Sequence, residues 1–210
     1  VNSEKLKNIF SQLIGHLYVP QEVLKSNDTK VLHISDTPTF LYPAINNLLA
    51  TLKPEIIIHT GDLADDIKLG NDNYCEYRYK RQVVPFINML EQCSAEQVYI
   101  VPGNHDDVKV IGDNIKNIII LQEGDIIDTG FGKIGVAHRV GLLPRGVSYN
   151  LYGHNFKEHI NKDERAVYLN GIKNAHVILL QSGKVAVIPY PMGTNYHRKM
   201  EGKYMFPNSI

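Results

Sequence analysis

VYIVPGNHD, residues 98–106, is the stretch on which the reading of this chain turns. An apolar, β-rich run from Val98 to Val101 meets Pro102 and opens into Gly103-Asn104-His105-Asp106. The run has the length and composition of a buried strand. Directly after it come an amide, an imidazole and a carboxylate. Open α/β sheets bind ligands beyond the carboxyl ends of their strands.

The same order recurs along the chain. VLHIS (31–35) ends in Asp36, and EIIIHT (55–60) ends in Gly61-Asp62. GKIGVA (132–137) ends in His138, and YNLY (149–152) ends in Gly153-His154. Glycines before Asp62, Asn104 and His154 are expected to let the backbone turn sharply. Between the early strands, LYPAINNLLATL (41–52) and VVPFINMLEQC (83–93) read as helices, the first with Pro43 near its start. Strand–helix–strand at this spacing implies parallel pairing. After about residue 117 short strands follow closely, separated by Gly, Asn or Asp, with Ser182-Gly183 as a tight hairpin turn. The two halves are expected to form stacked sheets with helices outside.

Composition narrows the function. Lys+Arg and Asp+Glu number 22 each, so there is no general electrostatic drive toward nucleic acid or an anionic membrane. Apolar content of 43% and charged content of 21% fit an ordinary soluble globular protein. Two cysteines, Cys75 and Cys93, form no CxxC pattern and fit a reducing, cytoplasmic setting. No apolar run of about 18 residues occurs to span a membrane. VNSEKLKNIFSQLIGHLYV (1–19) lacks a signal-peptide core. Its Leu6, Ile9, Phe10, Leu13, Ile14 and Leu17 recur at helical spacing, which predicts an amphipathic helix packed on the body.

Oxygen and imidazole donors together suit Mn, Fe or Zn. The set Asp36, GDLAD (61–65), GNHD (103–106), His138 and Gly153-His154, in this order and spacing, resembles the calcineurin-like metallophosphoesterase family. The resemblance covers about residues 31–190. It leaves 1–30 as a helical extension and 191–210 as a tail. It implies a four-layer α-β-β-α sandwich of two mixed sheets flanked by helices. It further implies two metal ions at the strand ends, bridged by Asp62. Asn104, His138 and His154 would complete the second ion's shell, and Asp36 would belong to the first. His105 would lie beside the substrate phosphate and protonate the leaving group or stabilise charge. Two cations about 3.5–4 Å apart can clamp a phosphoryl group and activate water.

The pattern breaks on one side. The family has Asp-x-His where this chain has Asp36-Thr37-Pro38, and Gly-His-x-His where it has Gly153-His154-Asn155-Phe156. Both missing histidines would bind the first ion. One divalent transition ion per chain is therefore expected, with the first site weak, empty or otherwise filled. Arg139, after His138, either lends its guanidinium in place of the lost ion or to a substrate phosphate, or points to solvent. His159 is a candidate rescuer, whereas His33 and His59 are expected to be satisfied within the sheet. Asp65 and Asp106 read as turn and loop formers, and Asp36 as an acceptor ordering its own turn. NYCEYRYKR (73–81) reads chiefly as the solvated face of a helix with tyrosines packed inward. The implied function is hydrolysis of a small phosphomonoester or phosphodiester. The alternative is a weak or inactive scaffold for a protein partner, and a nuclease finds no support in the charge.

Overall fold

The computed structural model describes residues 3–67, 73–157 and 163–198. Helices α1 (Ser3–Leu13) and α2 (Gln21–Leu24) lead into strand β1 (Lys30–Ile34). There follow α3 (Tyr42–Leu52), β2 (Ile56–His59), α4 (Asn73–Glu91), β3 (Gln97–Ile100), α5 (Val108–Gly112) and β4 (Ile119–Ile120). The second half holds β5 (Ile126–Asp128), β6 (Lys133–Val136), β7 (Tyr149–Tyr152), β8 (Val167–Asn170), β9 (Asn174–Leu179), β10 (Lys184–Pro189) and α6 (Thr194–His197).

Two mixed sheets flanked by helices result, as the sequence implied. The larger has the order β10-β9-β1-β2-β3-β4 and the smaller β5-β6-β7-β8. β1, β2, β3 and β4 run parallel, as the helical crossovers require. The halves do not each keep to one sheet, however. β9 returns from the second half to pair antiparallel with β1, and β10 pairs with β9. Their hairpin closes with Gly183 at φ 70° and its N–H on the Leu179 carbonyl, at the expected turn.

Strand alternation divides the core in two. Leu32, Ile34, Ile57 and Ile100 face Ile45, Leu48, Val83 and Phe86 of α3 and α4. Val31, Ile58, Tyr99 and Val101 face the smaller sheet, meeting Ile134, Val136, Leu151 and Leu169. Each fully buried aliphatic side chain contributes about 1.5–3 kcal/mol. This double layer is what makes the strand ends rigid enough to carry a site.

The N-terminal helix forms but does not pack as expected. Leu6, Ile9, Phe10, Leu13 and Ile14 are all exposed, and α1 has no buried residue. Anchoring falls instead to Val19 and Val23, which enter the core beyond it. Polar ties add the Tyr18 hydroxyl on Glu4 and the Met192 N–H on the Gln12 carbonyl. No helix among the described residues is long and apolar enough to cross a membrane.

Three histidines lie buried beneath the strand ends. His33 Nε2 meets Thr60 Oγ1 at 2.9 Å, His59 Nε2 meets Thr37 Oγ1 at 2.9 Å, and His176 stacks on His33. His33 and His59 are thus engaged within the sheet, as their positions before the strand ends suggested. Burial pushes His59 down to about 3 and His176 down to about 4. Such groups stay neutral when folded and take up protons near pH 6.5 when unfolded. Their stability contribution is complete above that pH and is lost as pH falls toward the folded value. For His176 the loss between pH 6.5 and 4 is on the order of 2–3 kcal/mol. A His176→Phe variant should therefore show a flatter fall of unfolding free energy over that window in urea titrations. Equal slopes in variant and parent would contradict this.

Candidate metal centre

The site is assembled from loops that leave the strands at one end of the sandwich. After β1 the chain takes a left-handed step at Asp36, φ 49°, and after β2 another at Asp62, φ 55°. His154, following β7, has φ 67°. Asp tolerates this region better than most residues, but each such step costs roughly 1–2 kcal/mol. The turning was expected to fall on the preceding glycines. Of those, Gly61 alone has positive φ, at 98°. Gly103 serves a different need, because a Cβ there would collide with the Asp62 carboxylate and backbone.

Backbone bonds lock the first two loops together. The Asp36 N–H donates to the Gly61 carbonyl and the Thr37 N–H to the Asp62 carbonyl, both at 2.9 Å. The loop after β2 is locked to the loop after β3 by Asp106. Its carboxylate accepts from the N–H groups of Asp62 (2.7 Å), Leu63 (2.8 Å) and Gly103 (2.8 Å), and from the Tyr79 hydroxyl (2.8 Å). The His105 N–H in turn donates to Asp62 Oδ1 at 2.9 Å. Asp106 is thus the loop former that the sequence suggested, and it acts between loops as well as within its own.

The structure brings the four residues expected around the second ion to one place. His138 Nδ1 lies 2.8 Å from the Thr60 carbonyl. A carbonyl only accepts, so Nδ1 carries a hydrogen, and Nε2 is the ring nitrogen that faces the cleft. Around Nε2 lie Asn104 Oδ1 at 3.0 Å, His154 Nδ1 at 3.2 Å and Asp62 Oδ2 at 3.6 Å. With Nε2 bare, its lone pair would face these atoms, an arrangement that a cation would relieve. Asp36, expected in the other shell, stands close as well. Asp36, Asp62 and His138 are buried, and their ligand atoms lie within 4.8 Å of one another, a set that could hold a metal ion.

Electrostatics point the same way. Burial, then the negative charges of Asp36, Asp106 and Asp65, push Asp62 up to about 9. Burial and the neighbouring His138 push His154 below the usual imidazole range. The Asp62 direction describes a pocket short of positive charge, and the His154 direction favours a neutral ring able to offer a lone pair.

Other expectations resolve differently. Asp36 does not order its own turn. Its carboxylate accepts from the Ser35 hydroxyl at 2.6 Å and from the His154 N–H, joining β1 to the Gly153-His154 loop. Asp66 orders the turn, taking the Thr39 N–H and hydroxyl at 2.7 and 2.9 Å, while Pro38 is extended and starts a short 3-10 helix over Thr39–Leu41. Arg139 is not between the carboxylates. Its guanidinium is 56% exposed and holds Glu123, with Nη2 to Oε2 at 2.6 Å. The pairing is local because the Arg139 N–H also donates to Glu123. His105 is half-buried at the rim. His159 and the side chains of residues 73–75 lie outside the described residues. Within 76–81, Tyr77 is exposed while Tyr79 is buried and reaches Asp106.

Two contributors were not singled out from the sequence. Tyr79 was one tyrosine in an alternating run, and only helical phase against the core distinguishes it. Arg198 lies far down the chain, is 1% exposed, and donates from Nε to the Asp36 carbonyl at 2.7 Å. A groove of about 1040 Å³ between α3 and α4 shares no residue with the cluster.

A family model described as calcineurin-like phosphoesterase matches residues 29–188. No curated protein matches significantly. Among solved structures, the phosphoesterase Yfce from E. coli is 14% identical, with TM-score 0.52, over 77% of this chain and 98% of that one. A novel archaeal phosphodiesterase is 14% identical, with TM-score 0.47, over 76% and 99%. Vacuolar protein sorting 29 from Cryptosporidium parvum is 19% identical, with TM-score 0.43, over 76% and 95%. At these identities the likeness to Yfce speaks for the fold alone, and the other two scores carry no argument.

If Asp106 is the fastening, Asp106→Asn should cost about 2–4 kcal/mol, because an amide donor then faces backbone donors. Tyr79→Phe, which removes one bond of the set, should cost about 1–2 kcal/mol. Urea unfolding measures both, and a neutral Asp106→Asn would contradict the assignment. Separately, the raised Asp62 favours the folded state below its unfolded value of 3.8, and that contribution is lost as pH rises through about 9. Chelator-stripped protein should therefore gain more thermal stability from added Mn²⁺ at pH 8 than at pH 5. An equal gain would contradict it.

Proposed function

Since the chain belongs to the calcineurin-like phosphoesterase family, we propose that it is a metal-dependent hydrolase of a small phosphate ester working with one ion per chain. The observation that carries this is the convergence of Asp62, Asn104 and His154 on His138 Nε2 within 3.0–3.6 Å. Asp62, Asn104, His138 and His154 would hold the ion, with Asp36 beside them. Their mixture of oxygen and imidazole donors fits Mn, Fe or Zn. A divalent cation bound there supplies positive charge against a phosphoryl oxygen and makes water a better nucleophile near neutral pH.

The chain's own groups do the rest. The Thr60 carbonyl holds the His138 ring in one tautomer, which keeps its lone pair directed at the cluster. Asn104 is a neutral donor, so the cluster holds a cation without adding charge against an anionic substrate. His105, half-buried at the rim and tied through its N–H to Asp62, is the proposed proton donor to the leaving oxygen. Positions 38 and 156 carry Pro and Phe, neither of which offers a side-chain donor for a second ion. The absence of those donors also supports a second reading, in which the protein is a weak catalyst or none and serves as a binding surface for a protein partner.

Hydrolysis of an aryl phosphodiester separates the two. Stripped protein should be inactive, Mn²⁺ should restore turnover, and Asp62→Asn or His138→Ala should lower it at least about tenfold. His105→Ala should lower kcat with little change in KM. Turnover that persists in excess chelator, or is untouched by Asp62→Asn, would contradict the enzyme reading. No turnover under any metal would favour the binding surface.

A further inference from the structure

The segment after β10 closes over the Asp36 turn and carries a buried charge with it. The Tyr190 hydroxyl donates to the Gly171 carbonyl at 2.8 Å, and His197 stacks on Phe40 with ring centroids 4.3 Å apart. Between them Arg198 turns inward. Its guanidinium stacks on Tyr190 and donates to the carbonyls of Asp36 (2.7 Å) and Ile172 (2.6 Å) and to Asn195 Oδ1 (2.9 Å). Every one of these acceptors is neutral. Among the described residues no carboxylate pairs with Arg198 directly.

A buried guanidinium without a paired anion is costly, because it never gives up its proton. Dipoles alone offset that cost poorly. The carbonyl that Arg198 grips belongs to Asp36, whose own carboxylate is buried. The buried Asp36 and Asp62 carboxylates share one cluster with His138, and among the described residues neither pairs with a lysine or arginine side chain. A fixed positive charge behind the turn stabilises a negative charge on the Asp36 carboxylate.

We propose that Arg198 is the permanent counter-cation of the Asp36 carboxylate and the clamp on the Asp36 turn. Arg198 is a positioning residue, since it touches backbone and approaches the cluster from behind. Its consequence for hydrolysis rests on the reading of the cluster as a metal centre. The charge coupling itself does not.

A double-mutant cycle on the full chain in excess chelator tests it. Urea unfolding is measured for the parent, Arg198→Gln, Asp36→Asn and the double variant. The Arg198→Gln change should lower the folding equilibrium constant more when residue 36 is Asp than when it is Asn, by about fivefold or more. If Arg198 only fastens backbone, its loss costs the same in both backgrounds, and that equality would overturn the proposal. Should Arg198→Gln alone fail to fold, recovery of folding on adding Asp36→Asn supports the coupling, and no recovery overturns it. Because metal and turnover are absent from the measurement, failure of the phosphoesterase reading leaves the cycle readable.

Discussion

The Asp106 carboxylate accepts from three backbone N–H groups and the Tyr79 hydroxyl, and those bonds decide where the ligating atoms stand. Two come from the loop after β2 and one from the loop after β3. With the loops joined, Asp62 and Asn104 are presented from different strands to one point. The joint is also why Asp62 can be buried beside other carboxylates. Its Oδ1 takes the His105 N–H, which leaves Oδ2 for the cleft. Lost backbone bonds inside a protein cost the full desolvation of each group, so such a joint opens all at once or not at all.

Around that joint the site accumulates unfavourable features that compensate one another. Asp36, Asp62 and His154 hold left-handed backbone, a conformation kept only where neighbours over-determine it. Oxygens and a second imidazole crowd around His138 Nε2. Buried carboxylates repel. Each feature taken alone would weaken the fold, and the last two are relieved by positive charge at the same spot. Clustered strain and perturbed ionisation of this kind are characteristic of functional sites. Beneath them, the neutral histidines His33, His59 and His176 fill the sheet without adding charge of their own.

Much of the fold was legible because strand length, strand spacing and the residues at strand ends are local properties. Asp36, Asp62, Asn104, His138 and His154 each follow a readable apolar run, so their convergence follows once the strands are parallel or adjacent. What stayed hidden depends on contacts between distant segments. Tyr79 meets Asp106 across 27 residues and Arg198 meets Asp36 across 162, and no pattern in the chain announces either pairing. β9 and β10 joined the first sheet because β1 offered an unpaired edge, which short strands alone do not reveal. The apolar periodicity of α1 correctly gave a helix. Periodicity tells which side is apolar, however, and not whether anything covers it. Arg139 was attractive by adjacency to His138, yet Glu123 captured it because a surface ion pair desolvates less than a buried one.

The central claim is that one cation, held by Asp62, Asn104, His138 and His154, completes this cleft. Anomalous diffraction from crystals equilibrated with Mn²⁺ tests it most directly, since it counts ions and locates each one. The account requires one strong peak per chain, within about 2.0–2.4 Å of ligand atoms from those four residues. Two comparable peaks bridged by Asp62, or no peak at the cluster, would contradict it.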